Sequence, residues 1–115
     1  MSATVVEPLF GPPGPCRQLV YIGTDGHDIK VGTTTRLKRR GGELKLILLA
    51  TFSGDELVER RLHRRWAKNR LGDSEWFRAD DALLAEILRW IRPGDVKALA
   101  ALHRLARNNQ LKEAA

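Results

Sequence analysis

The alternation of apolar and polar positions predicts a β-hairpin near the start of the chain. Residues 17–23 (RQLVYIG) form a short apolar run rich in strand formers, and residues 28–33 (DIKVGT) place their apolar side chains on one side. The Asp25-Gly26 dipeptide between the two runs is a strong turn signal. Residues 1–16, rich in proline and glycine, are interpreted as a flexible tail.

Three further elements follow the hairpin. Residues 34–44 read as a short basic helix, and residues 45–52 as a third strand. Because that strand is apolar throughout, we expect it at the centre of the sheet. Residues 53–69 read as a helix that begins with a capping box, Ser53 reaching towards Glu56. Its buried stripe is predicted to be Val58, Leu62 and Trp66, with Arg60, Arg61, Arg64 and Arg65 facing outwards.

The last part of the chain is predicted to be mainly helical. Residues 75–77 form a brief extended segment, and the next helix begins at Asp80 or Asp81 and stops at Pro93. Asp95 caps a final helix, whose apolar positions are Val96, Leu99, Leu102 and Leu105. The order of elements favours an α+β fold, in which a small three-stranded antiparallel sheet is flanked by helices.

Composition restricts the class of protein. A chain of 115 residues, 43% hydrophobic and 30% charged, has the make-up of one globular domain. We divide it into the tail 1–16, a domain over residues 17–92, and a C-terminal helix and tail over residues 93–115. The longest uncharged apolar run, residues 46–52, is too short to span a membrane. Residues 1–15 do not resemble a secretory signal, so a cytoplasmic location is expected.

Charge gives the first indication of function. The formal net charge is +6, but the window 36–70 holds eleven Lys/Arg and four Asp/Glu, a net +7. The excess of positive charge is therefore confined to one third of the chain. A solvated helix surface explains many such runs, yet this concentration favours a polyanionic partner. With Cys16 as the single cysteine, neither an intramolecular disulfide nor a cysteine-rich zinc site can form.

An ordered set of short motifs resembles the GIY-YIG nuclease superfamily over about residues 17–91. The set is closest to the T5orf172/Mug113-type branch, in which the second motif commonly reads Lys-Ile-Gly. The matching segments are Val20-Tyr21-Ile22, Lys30-Val31-Gly32, Thr34, Arg40, the helical stretch from Glu59 through Leu62 and His63 to Trp66, and Glu75-Trp76-Phe77. Each motif alone is weak, whereas the ordered set at compatible spacing is specific.

The resemblance implies a metal-dependent endonuclease that hydrolyses phosphodiester bonds in DNA. Within that family a tyrosine of the first strand lies near the attacking water, and this role falls to Tyr21. The position of the second-motif tyrosine is taken by Lys30, which can stabilise phosphate charge, or act as a base if desolvated. Arg40 corresponds to the arginine that clamps the phosphate, a task suited to its forked guanidinium, and the adjacent Arg39 is the alternative for the same role. Glu59 corresponds to the carboxylate that holds Mg²⁺ (or Mn²⁺).

Further basic residues are expected to contact nucleic acid, with DNA as the favoured partner and no membrane involved. They are Arg36, Lys38, Arg39, Arg60, His63, Arg64 and Arg65. A single domain of this size has a small footprint, so a sequence-specific enzyme would need a homodimer or a fused or partner DNA-binding domain.

Each candidate also has a purely structural interpretation. Glu59 and His63, four residues apart, can pair with one another, and His63 beside Trp66 reads more readily as a packed histidine than as a ligand. Glu75 can serve a turn or a helix end, and Trp76 and Phe77 read as core anchors rather than as base-stacking platforms. The chain departs from many active family members at Leu44, where they carry His or Tyr. The alternative function is therefore a catalytically inactive nucleic-acid-binding module on the same scaffold.

Overall fold

The computed structural model describes residues 18–34 and 45–114, which form a four-stranded antiparallel sheet and three helices. The strands are β1 (Leu19–Thr24), β2 (Asp28–Thr34), β3 (Ile47–Ser53) and β4 (Trp76–Arg78), in the order β3-β1-β2-β4. The helices are α1 (Glu56–Arg65), α2 (Asp81–Leu88) and α3 (Val96–Ala114), and a 3₁₀ turn spans Ala67–Asn69. The α+β class is confirmed. The tail 1–16 and the basic helix expected over residues 34–44 lie outside the described residues, apart from Thr34 at the end of β2.

The hairpin turn is fixed by its own polar groups. Asp25 Oδ1 accepts the backbone N–H groups of His27 and Asp28, each at 2.9 Å. The buried Thr24 hydroxyl donates to the carbonyl of Asp28 at 2.8 Å and accepts the N–H of Gly26 at 3.0 Å. Gly26 has φ +100°, a conformation that favours glycine. The turn predicted from Asp25-Gly26 is therefore confirmed, and it sets the β1–β2 register.

Two expectations about the sheet are corrected. The apolar strand β3 lies at an edge, beside β1, instead of at the centre. The C-terminal helix α3 packs against this edge strand, and Ala50 and Phe52 of the strand lie in the core. The sheet also has four strands rather than three, because the segment expected to be merely extended, β4, pairs antiparallel with β2.

The start and the end of α1 differ from the expectation. Asp55, not Ser53, is the N-cap, and its side chain accepts the N–H of Leu57 at 3.0 Å. Ser53 is the last residue of β3, so the predicted capping box does not form. The α-helix ends at Arg65, and the 3₁₀ turn replaces its expected last turn. The predicted buried stripe of Val58, Leu62 and Trp66 is confirmed.

The two C-terminal helices begin as their capping residues predict. Asp80 accepts the N–H of Leu83 at 2.9 Å, and Asp95 accepts the N–H of Ala98 at 3.0 Å. Of the four apolar positions expected on α3, Leu102 and Leu105 are buried and Leu99 is partly buried against the core, whereas Val96 is exposed. Ala98 and Ala101 complete the buried face.

All three helices contribute to one apolar core on one face of the sheet. The strand residues of that core are Val20, Ile22, Ile29, Val31, Leu49, Ala50, Phe52 and Phe77. Leu49 and Ala50 are consecutive, and both contribute because the β1–β3 register shifts at this point. Because side chains alternate along a strand, the intervening residues, Tyr21, Lys30, Gly32 and Trp76 among them, lie on the opposite face. Among the described residues, no helix is long and apolar enough to cross a membrane.

Candidate active site

Tyr21 and Gly32 are direct cross-strand partners on the face opposite the core. The tyrosine is 1% exposed, and its ring lies against the glycine backbone. A Cβ added at Gly32 would lie 2.7 Å from the tyrosine hydroxyl oxygen and 2.9 Å from Cζ, closer than such atoms approach in proteins. The glycine of the second motif therefore makes room for the tyrosine of the first.

Lys30 lies on the same face, two residues from Gly32, and is held on two sides by consecutive residues of the chain. Its Nζ is 3.5 Å from Glu75 Oε2 and 5.6 Å from the centroid of the Trp76 ring. The lysine side chain is only 12% exposed, whereas that of Glu75 is 49% exposed. Trp76 is the cross-strand partner of Lys30, so strand pairing sets this contact.

Glu59 and His63 flank the buried stripe of α1, one helical turn apart. Glu59 Oε1 is 3.7 Å from His63 Nε2, and both side chains are nearly buried. The same His63 nitrogen is 3.2 Å from the carbonyl oxygen of Val31, and its ring packs edge-on against Phe77. His63 is thus a packed, hydrogen-bonded residue of the helix–sheet interface, as one of the two interpretations expected.

Glu59 lies in an environment that opposes its ionisation. Burial raises the pKa of its carboxyl, and the negative charges of Glu75 and Glu56 raise it further. The positive charges of Arg60 and Lys30 act in the opposite direction, but more weakly. Lys30 and Glu75 are therefore near enough to Glu59 to influence its protonation, although they belong to the sheet region and Glu59 to a helix.

The backbone of Val31 explains how these groups meet. Its N–H donates to the carbonyl of Glu75 at 3.1 Å, a bond between β2 and the residue leading into β4. Its carbonyl oxygen faces His63 of α1. Val31 thus contacts the residue before β4 through its N–H group and α1 through its carbonyl oxygen. These two contacts place Glu59 of α1 on the same side of β2 as Glu75 and close to Lys30.

The predicted phosphate-binding residues differ in whether the fold already pairs their charge. Arg60, Arg61, Arg64 and Arg65 are exposed on α1, as expected. Arg65, however, donates from Nε to Glu86 of α2, and Glu86 also accepts the indole N–H of Trp66 at 3.2 Å. The charge of Arg65 is therefore already paired within the fold. Arg36, Lys38, Arg39 and Arg40 lie outside the described residues.

Sequence reasoning missed the part played by Glu75 and Trp76. Of the Trp76-Phe77 pair, only Phe77 is a core residue, whereas Trp76 is half-buried beside Lys30. The signal was present, because both residues belong to the last of the recognised motifs. The pairing of β4 with β2 was absent from the prediction, and this pairing connects the motif to Lys30.

The donor set restricts the metal that Glu59 can bind. Over residues 18–34 and 45–114 there is no group of three or more His, Cys, Asp or Glu side chains suited to a metal ion. A site on Glu59 would thus take one carboxylate, with water and phosphate oxygens completing the shell. Mg²⁺ accepts this arrangement because it keeps much of its hydration. A divalent cation would also offset the like charges that surround Glu59.

The fold and these motif positions together define a nuclease-like domain of the GIY-YIG class. The family model of the T5orf172 domain, a branch of that superfamily, matches residues 18–92, and the chain belongs to this family. The match covers the sheet, α1, α2 and every described candidate residue. The comparisons find no match among curated proteins and none among solved structures.

Proposed function

We propose that this protein is a metal-dependent endonuclease that hydrolyses phosphodiester bonds in DNA. The catalytic residues are Tyr21, Lys30, Arg40 and Glu59, with Mg²⁺ or Mn²⁺ bound at Glu59. The observation that carries the proposal is the chain of contacts from Glu59 through His63 to the Val31 carbonyl. In a chain of this family, it places a nearly buried carboxyl group beside the strand residue that follows the nearly buried Lys30.

Lys30 and Arg40 bind the scissile phosphate in this proposal. The Lys30 ammonium contributes a fixed positive charge close to the phosphate oxygens, which gain negative charge as water attacks phosphorus. Arg40 contributes a two-pronged hydrogen-bonding group. Tyr21 lies on the face that carries Lys30, where its hydroxyl orients the attacking water. The attacking water forms the new P–O bond and gives its proton to solvent water, while the P–O bond on the far side of phosphorus breaks and the departing oxygen takes a proton from solvent.

Glu59 supplies the carboxylate for the metal. A divalent ion held by Glu59 would supply positive charge at the phosphate and would favour loss of a proton from the attacking water. His63 keeps the Glu59 side chain beside the strand edge through its contacts with Glu59 and the Val31 carbonyl. A second copy of the chain or a DNA-binding partner would extend the small footprint of this domain along the duplex.

The test is cleavage of supercoiled plasmid by the purified chain with Mg²⁺ or Mn²⁺, and with EDTA. We expect nicking that requires the metal and that EDTA abolishes. A Lys30→Met preparation, purified in parallel, controls for contaminating nucleases, because it removes the ammonium group but retains a similar side-chain length. Equal nicking by the two preparations would overturn the proposal.

The second candidate function is a nucleic-acid-binding module that does not cleave. Two observations favour it: Leu44 stands where many active family members carry His or Tyr, and Arg60, Arg61 and Arg64 form an exposed basic group on α1. Absence of nicking together with a salt-sensitive gel shift of DNA would identify this function.

Replacing Arg60 and Arg64 together by alanine should weaken DNA binding on the order of tenfold near 0.1 M salt, because both are exposed on α1. The slope of log affinity against log salt should fall by about 0.9 for each phosphate that the variant no longer neutralises. Fluorescence anisotropy of a labelled duplex, titrated at several salt concentrations, measures both quantities.

Arg65→Ala is the matched control for the arginine pair. Since Glu86 already pairs with Arg65, this change should lower affinity less and thermal stability more. An equal loss of affinity from Arg65→Ala would contradict the assignment of Arg60 and Arg64 as phosphate-binding residues.

A further inference from the structure

The ammonium group of Lys30 is held by two adjacent residues, of which one is paired with it across the sheet and the other is half exposed. Trp76 is fixed by its strand pairing with Lys30, and its ring lies 5.6 Å from Nζ. Glu75 immediately precedes β4, and its carboxylate is half exposed at 3.5 Å from Nζ. One contact is thus built into the sheet, whereas the other is made by a side chain that can turn into solvent.

We propose that Trp76 is a positioning residue that holds the Lys30 ammonium for the substrate phosphate, and that Glu75 is the counterion which the phosphate displaces. This inference rests on the proposed function. A lysine has four rotatable side-chain bonds, and the face of an indole ring attracts a cation and limits its positions. The nearly buried Lys30 stays in place while the exposed Glu75 is exchanged.

Exchange of the Glu75 carboxylate for a phosphate leaves the charge beside Lys30 unchanged. In the free protein Glu75 neutralises Lys30, whose side chain is only 12% exposed. A phosphate oxygen approaching Nζ brings the same charge as the carboxylate, so one anion can replace the other. Release of Glu75 costs little because half of its side chain already contacts water. The consequence is competition, since phosphate must displace a carboxylate before it binds.

The first experiment measures the accessibility of Lys30 without nucleic acid. The wild-type chain and its variants are treated briefly with an acetylating reagent, and acetylation of Lys30 is followed by mass spectrometry. We expect acetylation several-fold faster in Trp76→Leu than in wild type, and protection restored in Trp76→Phe, which keeps an aromatic face. Equal rates in Trp76→Leu and wild type would overturn the positioning role.

The second experiment measures the competition by Glu75. Affinity for a labelled DNA duplex is determined in EDTA, so cleavage does not enter. Glu75→Gln should tighten binding about threefold, a typical value for an exposed ion pair. Glu56→Gln, which removes an equal charge from the neighbourhood of Glu59 without touching Lys30, should tighten it less.

The Glu75→Gln substitution is also made in a Lys30→Met background, which completes a double-mutant cycle. There Glu75→Gln should leave affinity unchanged, because the ammonium for which Glu75 competes is absent. Equal tightening in both backgrounds, or a wild-type chain that does not bind duplex, would overturn the exchange with phosphate. If the wild-type chain does not nick plasmid but the affinities of the four proteins differ as expected, the result counts against the endonuclease activity alone.

Discussion

Replacing Glu59 by glutamine is expected to reduce metal-dependent nicking at least about a hundredfold, while DNA binding in EDTA is retained. Glutamine has the size of glutamate and can still contact His63, so the local packing is preserved. It lacks the negative charge that a divalent ion requires. Plasmid cleavage and duplex anisotropy, measured on the same preparations, separate loss of chemistry from loss of binding.

The same substitution should raise stability at neutral pH. Since burial, Glu75 and Glu56 raise the folded-state pKa of Glu59 above its ordinary value, folding favours the protonated carboxyl. Its stabilising contribution is complete below the unfolded-state pKa and is lost as pH rises through the folded-state pKa. With EDTA present, Glu59→Gln should therefore melt a few degrees higher than wild type near pH 7.

The difference in melting temperature should shrink towards zero as the pH is lowered to about 4, where the wild-type carboxyl is mostly protonated whether the chain is folded or unfolded. Glu56→Gln is the control, because Glu56 is exposed in the first turn of the same helix. It should leave nicking largely intact. Undiminished cleavage by Glu59→Gln would refute the site assignment, and a lower melting temperature at neutral pH would contradict the environment described for Glu59.

The elements that the sequence predicted well are those fixed by local chemistry. The turn at Asp25-Gly26 and the helix starts at Asp80 and Asp95 depend on a few neighbouring atoms, so a short segment carries the whole signal. The stripe of Val58, Leu62 and Trp66 follows from helical periodicity in the same way.

The position of β3 could not be derived from its own residues. An apolar run is compatible both with a central strand and with an edge strand covered by a helix, and only the pairing of the strands decides between them. The start of α1 was misplaced for a related reason. Ser53 and Asp55 are both good N-cap residues, and the extension of β3 through Ser53 leaves the cap to Asp55.

In the candidate site, too, only the contacts between residues that are close in sequence or in one hairpin could be predicted. Helical spacing brings Glu59 next to His63, and hairpin register brings Tyr21 next to Gly32; both pairs follow from local rules. The contact of Lys30 with Glu75 and Trp76 joins distant parts of the chain through a three-residue strand. Such a short strand has no periodic signal, so its pairing had to come from the three-dimensional structure.

Replacing Gly32 by alanine is expected to destabilise the protein by about 1–3 kcal/mol, the usual penalty for overpacking a filled site. The added Cβ would meet three side-chain atoms of Tyr21 within 3.1 Å, and that side chain is buried. Because the tyrosine must move, cleavage should fall along with stability. Chemical denaturation measures the change in unfolding free energy, and plasmid nicking reports the catalytic loss.

A set of Tyr21 backgrounds identifies the physical reason for the glycine. If the clash is responsible, the destabilisation caused by Gly32→Ala should be largest beside Tyr21 and smaller in Tyr21→Phe, which lacks the hydroxyl that approaches closest. It should nearly vanish in Tyr21→Leu, which removes the ring atoms altogether. The same cost in all three backgrounds would mean that the strand backbone itself requires glycine. The expected gradient would instead show that Gly32 is needed so that the Tyr21 ring can lie against the strand that carries Lys30.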